Sequence, residues 1–287
     1  MEHRTSGAPR PRIPSGSVRA VIFDWAGTIV DHGSIAPVDA FIAVFAHHGV
    51  TIDAATARGP MGTAKREHIS AILSLPAVAA AWAAAHGGVP PDASSIDALY
   101  ADFTPLQVAA ARGRSRPIPG VLPMLAHLRA AGVRTGGCSG YNTAIMAAVL
   151  EGAAAEGLVL EANTCGNAAG SNGRPKPWMA AEVAAALDAW PLSACVKVDD
   201  TLPGIAEGLN AGMWTVGVTA SGNELGMDEA ELAAAEGTPE LEERLRAAKA
   251  RFTAAGAHYV LRSAADLGPV IEDINKRIAA GESPLAV

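Results

Sequence analysis

Asp24 directly follows the apolar run Val18-Arg19-Ala20-Val21-Ile22-Phe23 and precedes Trp25-Ala26-Gly27-Thr28. A run without polar alternation suits a strand buried on both faces of a parallel sheet. The carboxylate therefore sits at a strand end, before a small-residue turn. There it can serve as a nucleophile or as a ligand for a hard cation; capping the turn is the structural alternative. Three further groups favour chemistry. Ser139-Gly140 closes a second apolar run and offers a hydroxyl and a backbone N–H to a phosphate oxygen. Arg174, in Gly173-Arg174-Pro175-Lys176-Pro177, supplies a cation, and Asp199-Asp200 supply hard oxygen ligands suited to Mg²⁺. Such a set suits phosphoryl transfer, which needs in-line positioning and charge neutralisation more than acid–base chemistry.

A second kind of chemistry is carried by Pro60-Met61-Gly62-Thr63-Ala64-Lys65-Arg66-Glu67-His68-Ile69. Successive helix residues turn by about 100°, so Lys65 and His68 share a face with Ile69 and Ile72 while Glu67 points away. Burial on an apolar face lowers a lysine's pKa and leaves the free amine that attacks a carbonyl. A lysine that snorkels to solvent is the alternative for Lys65, and a hydrogen-bonded core histidine the alternative for His68.

The elements that must position these residues alternate. Helices at 121–131, 143–151, 178–189 and 205–211 separate strands at 133–138, near Leu158, at 195–199 and at 214–218. This rhythm predicts an α/β fold with a doubly wound parallel sheet, whose ligands bind at the carboxyl ends of the strands. Asp24, Ser139 and Asp199-Asp200 all fall at such ends. From Pro37 to Arg116 helical periodicity dominates, with helices at 38–47, 63–75, 77–85 and 95–111 and no strand. The expected organisation is a disordered tail over 1–17, a core of 18–32 and 117–287, and an inserted all-helical cap over 33–116. Glu240–Arg251 reads as a solvated amphipathic helix, and Ala257–Leu261 as a last edge strand.

Composition narrows the partners. The chain has 287 residues, 49% hydrophobic and 18% charged, which is globular and excludes bulk disorder. A net charge of −7 leaves no basic footprint for nucleic acid or an anionic membrane. Cys138, Cys165 and Cys195 are too few and too widely spaced for a disulfide framework or a zinc ribbon, and point to a reducing, cytoplasmic setting. No stretch qualifies as a transmembrane helix. Neither a P-loop nor a zinc-protease signature is present.

Asp24, Ser139, Arg174 and Asp200 together resemble the haloacid dehalogenase superfamily of phosphoryl-transfer enzymes. That resemblance implies Asp24 as nucleophile, and Asp24, the Ala26 carbonyl and Asp200 as Mg²⁺ ligands. It also implies Ser139 and Gly140 with Arg174 as the phosphate clamp. Most phosphatases of the superfamily carry a second Asp, the general acid, where this chain has Ala26; losing one costs about 10²–10⁴-fold. The longer ordered set is similar to the phosphonoacetaldehyde hydrolase family. It comprises Phe23-Asp24-Trp25-Ala26-Gly27-Thr28, Pro60-Met61-Gly62 with Lys65 and His68, Gly173-Arg174-Pro175 with Pro177-Trp178-Met179, and Asn210-Ala211-Gly212-Met213-Trp214-Thr215-Val216-Gly217.

This second resemblance implies a Lys65 Schiff base with the substrate aldehyde, which makes the acid unnecessary. It also implies proton transfer by His68, Met61 packed near the amine, a homodimer, and a place in the degradation of 2-aminoethylphosphonate; Tyr141, just past Ser139-Gly140, either lines the pocket or is an ordinary packing aromatic. The small-molecule substrate would be a phosphonate, with a phosphoester phosphatase or mutase as the alternative. Some members have a Gly-Asp pair where this chain has Asp199-Asp200, and a further acid where it has Gly204. Asp199 is then expected to supply or orient a metal-bound water.

Overall fold

The computed structural model describes residues 16–166 and 173–285. Of the tail expected over 1–17, only Gly16 and Ser17 fall within the described residues. Six strands form one sheet: β1 (Ala20–Phe23), β2 (Arg134–Ser139), β3 (Ala162–Cys165), β4 (Cys195–Asp199), β5 (Trp214–Val218) and β6 (Tyr259–Leu261). Their order is β3-β2-β1-β4-β5-β6 and every neighbouring pair is parallel. β1, β4 and β5 are buried at every position, which is why they read as largely apolar runs without polar alternation.

β3 is the strand that the sequence misplaces. Leu158 and Leu160 are apolar because they plug the main core as the chain leaves the preceding helix. The strand itself is Ala162-Asn163-Thr164-Cys165, an edge strand whose first half is open to solvent, so it lacks the apolar signature.

Among the described residues, five helices follow β1 before the chain reaches α6 (Val121–Ala130) and β2: α1 (Ile35–His47), α2 (Ala54–Arg58), α3 (Lys65–Leu73), α4 (Pro76–Ala85) and α5 (Ala93–Gly113). α6, α7 (Thr143–Ala155), α8 (Trp178–Ala186) and α9 (Leu202–Asn210) alternate with the strands. α10 (Glu229–Ala235) and α11 (Pro239–Ala254) precede β6, and α12 (Leu267–Ala279) follows it. α10 buries none of its residues, so no apolar stripe announces it. Within the helical block the ring of Phe41 stacks on Phe103 at 4.4 Å and on His68 at 3.9 Å.

The chain runs outward from β1 to β3, then returns beside β1 with β4. The crevice of the sheet therefore opens at the carboxyl end of β1. Register does the rest. Phe23 is level with Gly137 on one side and Val198 on the other. One and two residues further on, Asp24, Ser139, Asp199 and Asp200 emerge together at one edge.

Candidate active site

Asp24 is buried at the end of β1. Its Oδ1 accepts from Arg174 Nη2 at 2.9 Å, and no described residue donates to its Oδ2. Asp200 is held from two sides: its Oδ1 accepts from Thr28 Oγ1 at 3.2 Å and its Oδ2 from the Asn223 backbone N–H at 2.8 Å. Gly27 lies against it with φ +77°, and a Cβ there would stand 2.2 Å from Asp200 Oδ2. Asp24, Ala26 and Asp200 line one cavity, and carboxylate oxygens of Asp24, Asp199 and Asp200 lie within 4.8 Å of one another.

Burial first, then the neighbouring acids, push the Asp24 and Asp200 carboxyls above the usual range, Asp200 the further. The local balance sets the four buried acids Asp24, Asp199, Asp200 and Glu207 against the two paired cations Arg174 and Lys197. Hard oxygens, a surplus of negative charge and a carbonyl at Ala26 are the donor set a small divalent cation takes. Gly27→Ala is expected to displace the Asp200 carboxylate and to weaken Mg²⁺ binding about tenfold or more, read by calorimetry.

Arg174 is the centre of the charged cluster. Its Nε donates to Glu207 Oε2 at 2.9 Å, its Nη2 to the Cys138 carbonyl at 3.0 Å, and its Nη1 to the Gly62 carbonyl at 3.3 Å. Ser139 Oγ accepts from the Tyr141 N–H at 3.3 Å, and Ser139, Gly140 and Arg174 line the same cavity as Asp24.

Lys65 is the first residue of α3 and is buried together with His68, Ile69 and Ile72, the face that the periodicity specifies. Its Nζ lies 5.1 Å from the centre of the Tyr141 ring and 5.4 Å from that of Phe41. Desolvation lowers its pKa from 10.5 to about 8, against the pull of Asp24; a helix N-terminus disfavours an ammonium in the same sense. Because the amine is the reactive form, reductive trapping at Lys65 is expected to rise tenfold per pH unit up to about 8 and level off above it. Phe41→Leu, which opens space beside the amine to water, is expected to move that midpoint upward. Measuring the trapping rate against pH checks both.

His68 is buried, and its Nε2 is 2.8 Å from the Ala57 carbonyl. A carbonyl only accepts, so Nε2 carries the proton and the lone pair is on Nδ1, which has no described partner. Burial and the nearby Lys65 hold its pKa well below 6.5, so the ring is neutral. It does not line the cavity beside Lys65.

The helical block meets the sheet edge through backbone. A Cβ on Gly140 would lie 2.5 Å from the Thr63 carbonyl oxygen, and one on Gly62, where φ is +92°, would lie 2.3 Å from Thr201 Oγ1. The cavity between Lys65 and Asp24 is consequently small, about 20 Å³. A larger cleft of about 480 Å³ adjoins it, shares Met61 and Thr201 with it, and carries Arg58, Arg244 and Arg251.

The haloacid dehalogenase-like hydrolase family matches residues 18–212. Phosphonoacetaldehyde hydrolase of Paraburkholderia xenovorans is 48% identical, over 93% of this chain and 99% of that one. The enzyme of that name in Aeromonas hydrophila is 46% identical, over 94% and 97%. The crystal structure of a phosphonoacetaldehyde hydrolase-like protein from Oleispira antarctica superposes with a TM-score of 0.91 at 42% identity, covering 97% of this chain and all of that one. The chain belongs to the phosphonoacetaldehyde hydrolases.

Within that family frame, the structure gathers Asp24, Ala26, Met61, Lys65, Ser139, Gly140, Tyr141, Arg174 and Asp200 around one cavity and leaves His68 behind it. Lys176, one residue beyond the cis Arg174–Pro175 unit, is exposed. Three residues of this hydrolase's site went unread in the sequence. Lys197 and Glu207 are wholly buried and hold the charged cluster; a lysine inside an apolar strand was the available signal. Asn223 acts through its backbone N–H, which leaves no trace in residue type.

Proposed function

We propose that this chain hydrolyses the C–P bond of phosphonoacetaldehyde to acetaldehyde and phosphate, with Lys65 and Asp24 forming the two covalent bonds. The carrying observation is a buried amine and a buried carboxylate facing one cavity, with Ala26 in place of a general acid. Direct cleavage would expel a carbanion, a very poor leaving group. Lys65 Nζ adds to the aldehyde carbon and water leaves, giving an iminium. Asp24 then attacks phosphorus; the P–C bonding pair moves into the adjacent C=C bond and the iminium becomes a neutral enamine. Protonation at carbon and addition of water release acetaldehyde and the Lys65 amine. A second water cleaves the aspartyl-phosphate and restores Asp24. No alkoxide leaves, so Ala26 costs nothing.

Arg174, Ser139 Oγ and the Gly140 N–H hold the phosphoryl oxygens, and Met61 and Tyr141 exclude water from the imine. His68, one turn from Lys65, offers its Nδ1 lone pair for the proton shed as the amine becomes the imine. Asp24, the Ala26 carbonyl and Asp200 would hold Mg²⁺, which when bound supplies charge neutralisation for the transferring phosphoryl group.

The 20 Å³ cavity has room for about one water molecule and none for the substrate, so residues 33–116 act as a cap that opens on the core of 18–32 and 117–287. Crosslinking the two without loss of turnover would count against this. The arginine-lined cleft is the approach for an anionic substrate. Three buried, unpaired thiols suit the cytoplasm, where the enzyme would serve breakdown of 2-aminoethylphosphonate. The exposed Leu75 and Val89 that flank the alanine-rich α4 suit a homodimer. Among the described residues no single helix is long and apolar enough to cross a membrane.

The test is product release. Protein, Mg²⁺ and phosphonoacetaldehyde are mixed, and acetaldehyde is followed with an NADH-consuming dehydrogenase alongside phosphate. Equal amounts of both are expected. A folded, Mg²⁺-loaded protein that yields neither, yet cleaves phosphoesters, would sink the assignment.

A further inference from the structure

Of the three aspartates gathered at the strand ends, Asp199 is the one to which the reaction assigns no role. It is wholly buried at the end of β4, and each oxygen is engaged twice. Oδ2 accepts from Lys197 Nζ at 2.7 Å and pairs with Arg174 Nη2 at 3.1 Å. Oδ1 accepts from the Thr201 N–H at 3.0 Å and from Thr201 Oγ1 at 2.7 Å. Three protein hydrogen bonds and the Arg174 ion pair thus engage both oxygens of the carboxylate from within the protein.

The room for this carboxylate comes from Gly204, in the first turn of α9. A Cβ there would lie 1.9 Å from Asp199 Cγ, 2.0 Å from Oδ2 and 2.2 Å from Oδ1. Gly204 lies within a helix, where alanine is the better former, so the glycine serves space and not torsion. Lys197 and Asp199, two apart on β4, project to the same face. Among the described residues, the carboxylates within reach of the wholly buried Lys197 ammonium are Asp199 and, at 3.7 Å, Glu207. Glu207 takes Arg174 Nε at 2.9 Å and the Ala180 N–H at 3.2 Å. Two carboxylates that share one lysine thus hold the guanidinium, Glu207 at Nε and Asp199 at Nη2, and that same Nη2 also donates to Asp24.

We propose that Asp199, anchored by Lys197 in the space left at Gly204, is a positioning residue that sets Arg174 on the phosphoryl group, and is not a metal ligand. This rests on Arg174 being the phosphate clamp. The pair holds the guanidinium against the pull of Asp24 alone, so that its donors stay aimed where the phosphoryl oxygens arrive.

The probe is inorganic phosphate, titrated by calorimetry into the whole protein at saturating Mg²⁺; Mg²⁺ is titrated separately without phosphate. Asp199→Asn keeps the volume and the Thr201 contact but loses the charge on Arg174. Gly204→Ala keeps every polar group and pushes the carboxylate aside, and it decides the matter if Asp199→Asn does not fold. Both variants are expected to bind phosphate about ten- to hundredfold more weakly. Mg²⁺ affinity and borohydride trapping of phosphonoacetaldehyde on Lys65 should be kept. Unchanged phosphate affinity in folded Gly204→Ala overturns the positioning role, and so does loss of Mg²⁺ binding in Asp199→Asn with phosphate affinity kept. If phosphate does not bind the wild-type protein, the clamp itself falls and the proposal with it.

Discussion

Lys65→Arg is expected to abolish turnover of phosphonoacetaldehyde while phosphate binding survives. Arginine keeps a cation at the start of α3 but stays protonated and has no free amine to add to a carbonyl. Without the iminium the C–P bond must expel a carbanion, and no residue replaces that electron sink. A loss of at least about 10⁴-fold in kcat is the expected scale, that of removing a member of a covalent mechanism. A protein that used Lys65 only as a phosphate-binding cation would keep most of its rate.

A companion variant separates chemistry from stability. The folded protein holds Lys65 at about 8 against 10.5 for a free lysine, which is a penalty for burying the ammonium. That penalty is fully present below pH 8, fades between 8 and 10.5, and is absent above. Lys65→Met should therefore be inactive yet more stable at pH 7, by up to about 3 kcal/mol, with the gain vanishing above pH 10.5. Urea unfolding of both proteins at the two pH values checks this.

Asp24→Asn is expected to lower turnover by about 10⁶-fold, the scale seen when a covalent nucleophile is removed. The amide leaves the shape of the β1 turn intact but cannot attack phosphorus. Its value lies in what still happens: the Lys65 amine remains, so the imine should form and accumulate with the C–P bond whole. Borohydride should then leave a phosphonoethyl group on Lys65, where the wild-type enzyme leaves an ethyl group. Peptide mass spectrometry distinguishes the two. An ethyl adduct in Asp24→Asn would mean that another group takes the phosphoryl.

The parts of this site that were legible in the sequence share a physical cause. Buried parallel strands are largely apolar, so Asp24, Ser139 and the Asp199-Asp200 pair stand out as polar residues at the carboxyl end of each run, and the sheet's register brings them together. Lys65 and His68 were legible because a helix repeats every 3.6 residues. What stayed hidden depends on contacts between distant segments. Nothing in the type of Asn223 shows that its N–H will meet Asp200, and Glu207 reads as an ordinary helix residue until α9 packs on β4. His68 lies on the face that the periodicity specifies, with Nε2 on the Ala57 carbonyl and Nδ1 without a described partner, a placement set by packing that the sequence does not show. β3 was misplaced because an edge strand carries less apolar signal than the core plug beside it.

The most direct test of the covalent route is reduction during turnover. Wild-type protein with Mg²⁺ and phosphonoacetaldehyde is treated with borohydride, digested, and the peptide containing Lys65 weighed. An ethyl group on Lys65, absent when substrate is omitted and accompanied by loss of activity, is the expected result. An unmodified Lys65 in protein that nevertheless releases acetaldehyde and phosphate would contradict the Schiff-base route and leave C–P cleavage needing another electron sink.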